Sequence, residues 1–186
     1  MVSLTSLWLP ILLSAVAVFL VSFLVHMVVR YHNTDFKRLP AEDDIMRALG
    51  THNIAPGEYM FPYPTSGSAS MKDPAFIEKR SRGPAGILNA FPAGMPGMGG
   101  PLAKWFVYSV VVSLFAAYLT SRAVSADALG GDVFRFSATV AFVAYGLGHV
   151  ADSIWWGRAW SVTFKNLLDA LLYGAATGAV FVWLWP

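Results

Sequence analysis

The amino-acid sequence predicts an all-α membrane protein with four transmembrane helices and a long irregular cytoplasmic loop that contains one or two short helices. Three observations support this: an apolar composition, four long apolar runs, and basic residues gathered beside one loop. Hydrophobic residues make up 56% of the 186 positions and charged residues 13%, whereas soluble domains average roughly 45–50% and about 25%. A soluble fold of this length has too little interior for that excess, so the surplus must face lipid.

Each apolar run has the length of a membrane-crossing helix, which takes about 20 residues. Spans are predicted at about 7–29, 105–121, 136–156 and 166–185. The first span has Pro10 near its beginning, where a missing N–H group is tolerated. It lacks the basic flank and cleavage site of a signal peptide, so we expect a retained helix. The chain is therefore expected to form a single membrane domain over residues 1–186, with its long loop at 31–104.

The distribution of Lys and Arg predicts the orientation of the spans. Of these thirteen residues, all but Arg122 and Arg135 lie in or beside loop 31–104 or in the turn between the third and fourth spans. Cytoplasmic segments carry the excess of basic residues, so the loop is expected in the cytoplasm and both termini outside it. The seven Trp residues fall at predicted span ends, where the indole ring prefers the headgroup region.

Loop 31–104 is expected to be irregular apart from two short helices. One begins after Pro40 and the other at Asp73, because proline and acidic residues favour the first turn of a helix. Gly50 is expected to stop the first helix. Four prolines and five glycines between 84 and 101 argue against a helix or a central strand there. The apolar side chains of this stretch are expected at the membrane surface, on the protein's own helices, or against a partner subunit.

Four ionisable side chains lie inside the predicted spans, near their cytoplasmic ends: His26, His149, Asp152 and Asp169. Ionisable groups in lipid are costly and mark candidate functional sites. Together they would form one polar layer with the donor types that suit a divalent metal, and His149, Asp152 and Asp169 are the candidate metal ligands. His26 and His149 are the candidate axial pair of a haem, and proton relay is a further alternative.

A purely structural role is the competing interpretation of the same residues. Asp169 lies four residues after Lys165, the spacing at which two charges on one helix face can pair. Asp152 can reach Arg158 or backbone groups near the headgroups. On this interpretation no cofactor is bound.

Small residues at intervals of four on the spans predict close helix packing. The predicted packing positions are Ser109, Ser113 and Ala117 on the second span, Ala144 and Gly148 on the third, and Ala170, Gly174 and Gly178 on the fourth. We expect most of these contacts to lie within the molecule, among spans two to four. Contact with another membrane protein is the alternative.

The chain has no cysteine, which excludes disulfides, thiolate metal sites and cysteine nucleophiles. The sequence also has no phosphate-binding loop, no H-E-x-x-H motif and no nucleophile elbow, so no enzymatic activity is predicted. The basic residues lie beside spans, where membrane orientation accounts for them, and no nucleic-acid partner is expected.

The run SIWWGRAWSVTFKNLLDALLYGAATGAVFVWLWP, with MFPYP and MKDPAFIEKRSRGPAG in the loop, resembles small four-span proteins of bacterial inner membranes. The resemblance implies a bacterial inner-membrane setting and carries no activity. The function expected first is a non-catalytic accessory or scaffold subunit of a larger membrane complex, with electron transport as a candidate process. The alternatives are a small haem- or metal-binding membrane protein and a proton-coupled carrier.

Overall fold

The computed structural model describes residues 2–95 and 97–186. In chain order its elements are α1 (Leu4–Val29), α2 (Glu42–Thr51), β1 (Gly57–Phe61), α3 (Pro74–Arg82), β2 (Gly86–Ala90), α4 (Gly99–Ala123), α5 (Gly130–Trp155) and α6 (Trp160–Trp183). Helices α1, α4, α5 and α6 are long and apolar enough to cross a membrane. The prediction of a mostly helical protein with four candidate membrane-spanning helices is confirmed.

The long helices all begin earlier in the chain than the sequence predicts. Helix α5, for example, begins at Gly130 rather than near 136. The predicted bound followed the last charged residue, but a helix continues through charged residues that find partners. Here Arg135 Nη1 donates to Asp132 Oδ1 at 3.1 Å, one turn away, and the pair is stable at the exposed beginning of the helix.

The chain folds as two units, residues 1–37 with 97–186 and residues 38–96. The first unit contains the four long helices, and α5 and α6 make its closest contact. A Cβ added at Gly174 would lie 2.8 Å from the main-chain oxygen of Ala138. Only glycine allows the backbones to approach this closely.

The other predicted packing positions on α4 and α6 are buried. No surface is exposed at four of them, Ser109, Ser113, Ala117 and Ala170. A Cβ at Gly178 would lie 2.7 Å from the ring of Phe134. These positions therefore lie at close helix contacts within the first unit.

The close packing predicted at Ala144 and Gly148 on α5 is not seen, although Tyr108 Oη on α4 donates to the main-chain oxygen of Ala144 at 2.9 Å. Both are exposed, and a Cβ added at Gly148 meets no atom within 4 Å. Gly146 makes the contact instead, because a Cβ there would lie 2.8 Å from that of Ala170. The physical reason is a π-helical turn at Val143–Leu147, which adds a residue to the turn and rotates the packing face.

The second unit contains a two-stranded antiparallel sheet, in which Gly57 pairs with Ala90 and Phe61 with Gly86. The prediction of irregular chain was therefore wrong for both strands. Both strands are only five residues long and neither has a buried residue, so they lack the strong apolar alternation that predicts a strand. A two-stranded sheet also has no central strand for proline to disrupt.

Two short helices complete the second unit. Helix α3 begins where the sequence suggests, because Asp73 Oδ1 accepts the N–H of Ala75 at 3.0 Å and Pro74 occupies the first turn. It ends at Gly83, whose φ of +65° suits glycine. Helix α2 runs through Gly50 to Thr51, so this glycine lies inside the helix rather than ending it.

Candidate metal centre

The candidate site forms where the chain reverses direction after α1. Arg30 ends α1 with a left-handed backbone, φ 59°, and a 3-10 turn at Tyr31–Thr34 follows. Lys165, in the first turns of α6, holds this turn in place. Its Nζ donates to Tyr31 O at 2.7 Å, to Thr34 Oγ1 at 2.8 Å and to Asp35 Oδ1 at 2.7 Å. The turn therefore lies against the beginning of α6.

The Asp169 carboxylate is the centre of the cluster, and its side chain is only 8% exposed. Tyr31 Oη donates to its Oδ1. Its Oδ2 lies 2.9 Å from His32 Nε2 and 4.0 Å from His26 Nε2. One buried carboxylate thus faces two imidazole nitrogens from two different segments.

The partners of the other ring nitrogens decide which tautomers the neutral histidines adopt. His26 Nδ1 lies 3.0 Å from the main-chain oxygen of Ser22, which can only accept, so Nδ1 carries the proton. His32 Nδ1 lies 2.6 Å from Asp35 Oδ2 and donates to that carboxylate. In both neutral rings the lone pair is then on Nε2 and faces Asp169.

Asp35 is held in its ionised form. Burial raises the pKa of its carboxyl, but hydrogen bonds from Lys165 and His32 outweigh burial, and the pKa lies below its ordinary value. A carboxylate that accepts the Nδ1–H of a histidine orients the ring and makes its Nε2 more basic, an arrangement common behind metal-ligating histidines.

The structure leaves an unusual juxtaposition at the centre of the cluster. With His32 neutral, its Nε2 lone pair lies 2.9 Å from the Asp169 carboxylate oxygen, and two electron-rich atoms so close repel each other. A cation between them removes the repulsion, either a proton on His32 or a metal ion bound to both atoms. His26, His32 and Asp169 each offer one ligand atom, and these atoms lie within 4.8 Å of one another.

The four ionisable residues singled out by the sequence line one cleft of about 600 Å³, but they do not form one ligand set. His149 Nδ1 lies 3.6 Å from Asp152 Oδ2, and their side chains are 39% and 40% exposed. Within residues 2–95 and 97–186, neither belongs to the group of three possible ligands, which His32 completes instead. The haem and metal predictions therefore share only His26 and Asp169 with this group.

Sequence reasoning missed Tyr31, His32 and Asp35 because it ranked only ionisable residues inside spans. The available signal was YHNTD directly after the first span, where polar residues can fold back onto a helix end. The expected pairing of Lys165 with Asp169 was also wrong. Lys165 instead uses its three donors on the turn after α1.

The expected contact between Asp152 and Arg158 is a main-chain one. The Arg158 N–H donates to the main-chain oxygen of Asp152 at 3.3 Å. The Asp152 carboxylate pairs with His149 on its own helix, so it faces the cleft beside an imidazole rather than a guanidinium.

Haem ligation by His26 and His149 does not fit this arrangement. His26 Nε2 faces the Asp169 carboxylate at 4.0 Å, and the His32 ring stacks on the His26 ring with centroids 4.6 Å apart. An axial histidine needs the porphyrin plane directly before its ligating nitrogen, and a carboxylate lies there. The residues around His26 therefore fit a small ion and not a macrocycle.

Comparison of this chain with protein families, with curated proteins and with solved structures finds no match.

Proposed function

We propose that the protein binds a divalent transition-metal ion between His26, His32 and Asp169 in the membrane. The observation that carries the proposal is the pair of imidazoles whose Nδ1 atoms are both engaged by acceptors while both Nε2 atoms face one carboxylate. A protonated His32 alone would form a salt bridge with Asp169, so the feature that favours a metal ion is the second imidazole nitrogen, His26 Nε2, that faces the same carboxylate. Two converging Nε2 atoms, each oriented by its own acceptor, are what a metal site requires.

The distances support a first-row metal. Metal–nitrogen and metal–oxygen bonds of about 2.0–2.2 Å place the ligand atoms of one ion roughly 3 to 4 Å apart. The separations of Asp169 Oδ2 from His32 Nε2, 2.9 Å, and from His26 Nε2, 4.0 Å, lie close to that range. Two imidazoles and one carboxylate suit Zn²⁺, Mn²⁺, Fe²⁺ or Co²⁺ better than Ca²⁺ or Mg²⁺.

The ion would keep at least one open coordination position. Three protein ligands are fewer than the four of a closed structural zinc site, and His26 and Asp169 both line the cleft. The open position is therefore expected to face the cleft, where water or a small ligand completes the coordination. A site of this kind fits ion delivery or sensing as well as catalysis.

We place this site at the cytoplasmic side of a bacterial inner membrane. The positive-inside rule supports that orientation, because the site lies at the end of α1 that leads into the basic loop. The resemblance to bacterial inner-membrane proteins supports the choice of this membrane.

A role as accessory subunit of a larger membrane complex is the second proposal. It is favoured by apolar side chains that the described residues leave uncovered, among them Phe91 at 84% exposure and Met95 at 99%. Co-purification in mild detergent followed by native mass spectrometry tests it, and a lone chain under every mild condition contradicts it.

The test of the metal proposal uses purified protein in detergent, stripped with chelator and titrated with Co²⁺ and Zn²⁺. We expect one ion per chain and a visible Co²⁺ absorption band. His32→Ala should weaken binding at least tenfold, whereas His52→Ala should not, since His52 is exposed in the second unit. Absence of binding by the unaltered protein, or equal affinities of the two variants, overturns the proposal.

A further inference from the structure

The cleft beside the candidate metal centre has the volume of a small-molecule site. It measures about 600 Å³, within the roughly 300–1,000 Å³ typical of ligand pockets. Residues of α1, α4, α5 and α6 line it, whereas His32 does not. A metal ion held by three residues would use little of this space.

One wall of the cleft is aromatic. Trp105 and Tyr108 are neighbours on α4, with ring centroids 5.7 Å apart, and Tyr108 remains 41% exposed. Behind them Tyr145 and Tyr173 form a buried floor, with their own centroids 5.3 Å apart. The π-face of an aromatic ring carries partial negative charge and attracts cations.

The carboxyl and imidazole groups of the cleft belong to two aspartates and to two histidines, His26 and His149, and His149 Nδ1 lies 3.6 Å from Asp152 Oδ2. Asp152 and Asp169 line it, and its described lining residues include no Lys or Arg. Lys165, the nearest candidate on α6, is engaged by the turn after α1. Aromatic faces beside carboxylates that no Lys or Arg neutralises are the combination that recognises organic ammonium ions.

We propose that the cleft binds an organic ammonium ion, an amine or quaternary ammonium with apolar substituents, with its cationic head between Asp152 and the Tyr108 ring. The carboxylate supplies the opposite charge, and the face of the ring supplies a cation–π contact. The apolar substituents lie toward Trp105. This inference goes beyond the metal site and does not depend on it, because Asp152 and Tyr108 are not metal ligands.

The test compares a cation with its neutral isostere. Calorimetric titration of the chelator-treated protein in phosphatidylglycerol nanodiscs should show choline and benzyltrimethylammonium binding at least tenfold more tightly than 3,3-dimethylbutan-1-ol. Asp152→Asn should weaken the binding of both cations about tenfold, while Asp127→Asn, an exposed control, leaves it unchanged. Equal binding of cation and isostere, or no effect of Asp152→Asn, overturns the proposal.

A second pair of variants tests the cation–π contact if Asp152→Asn does not yield monodisperse protein. Tyr108→Phe loses only the hydroxyl, which donates to Ala144 O at 2.9 Å, whereas Tyr108→Leu loses the ring. Binding retained by the first variant and lost by the second supports the cation–π contact; equal binding by both contradicts it.

Two further arms separate the sources of the ligand and the two proposals. Competition by phosphatidylethanolamine added to the nanodiscs identifies a lipid headgroup as the bound ammonium, whereas binding unaffected by this lipid identifies a free amine.

His32→Ala should lose the metal and keep ammonium binding, because His32 does not line the cleft. Loss of ammonium binding in properly folded His32→Ala protein contradicts the independence of the cleft, and an unaltered protein that binds ammonium but takes up neither Co²⁺ nor Zn²⁺ contradicts only the metal proposal.

Discussion

The ammonium group of Lys165 lies 2.7 Å from the carboxylate of Asp35, although the two residues are 130 positions apart in the chain. Their contact joins the turn after α1 to the beginning of α6. Asp35 in turn accepts the Nδ1–H of His32. The orientation of one candidate metal ligand therefore depends on a lysine that touches no metal.

Replacing Lys165 by Met should loosen this turn and weaken the metal site. The change removes three hydrogen bonds and leaves the Asp35 carboxylate without its cationic partner. We expect a loss of about 1 to 3 kcal/mol in the free energy of unfolding and about a tenfold loss of metal affinity. Thermal unfolding and Co²⁺ titration measure both. Lys72→Met, an exposed change in the second unit, is the control, and matching results for the two variants would contradict the role of Lys165.

The lowered pKa of Asp35 predicts how stability depends on pH. The folded state favours the ionised carboxylate, so between the folded and unfolded pKa values the unfolded chain binds more protons and stability rises with pH. The contribution of Asp35 is complete above its ordinary pKa and disappears as the pH falls through the lower folded value. Melting temperatures from pH 6 to pH 3 should fall more steeply for the unaltered protein than for Asp35→Asn. Parallel curves would show that Asp35 contributes nothing.

The sequence predicts the four long helices because compatibility with lipid is a local property of about 20 consecutive residues. It predicts two of the three candidate metal ligands for the same reason, since His26 and Asp169 interrupt apolar runs. The sequence does not predict His32 as a ligand, because its position depends on the turn that begins at Arg30 and on a partner, Asp169, that lies 137 positions away. The spacing of an α-helix also fails to predict which residues are buried where a π-helical turn changes the phase of the helix. For this reason Ala144 is exposed, although the spacing predicts it at a helix contact.

Tyr31 should act on the metal site through Asp169. Its hydroxyl donates to Oδ1 and leaves Oδ2 to face the two histidines. Tyr31→Phe keeps the ring and removes this donor, so we expect metal affinity about 10- to 100-fold lower with the stoichiometry unchanged. Tyr63→Phe is the matched control, because Tyr63 is exposed in the second unit. Isothermal titration with Zn²⁺ measures the difference, and unchanged affinity in Tyr31→Phe would exclude this hydrogen bond from the site.

The contact between α5 and α6 should be sensitive to a single methyl group at Gly174. An added Cβ would lie 2.8 Å from the main-chain oxygen of Ala138, and backbone cannot move aside as a flexible side chain can. Gly174→Ala should therefore lower the free energy of unfolding by about 1 to 3 kcal/mol. Gly131→Ala is the control, because a Cβ at Gly131 meets no atom within 4 Å and alanine favours a helix by about 0.5–1 kcal/mol over glycine. Thermal unfolding in one detergent should thus move in opposite directions for the two variants. If both variants are stabilised, the two helices lie farther apart than this contact requires.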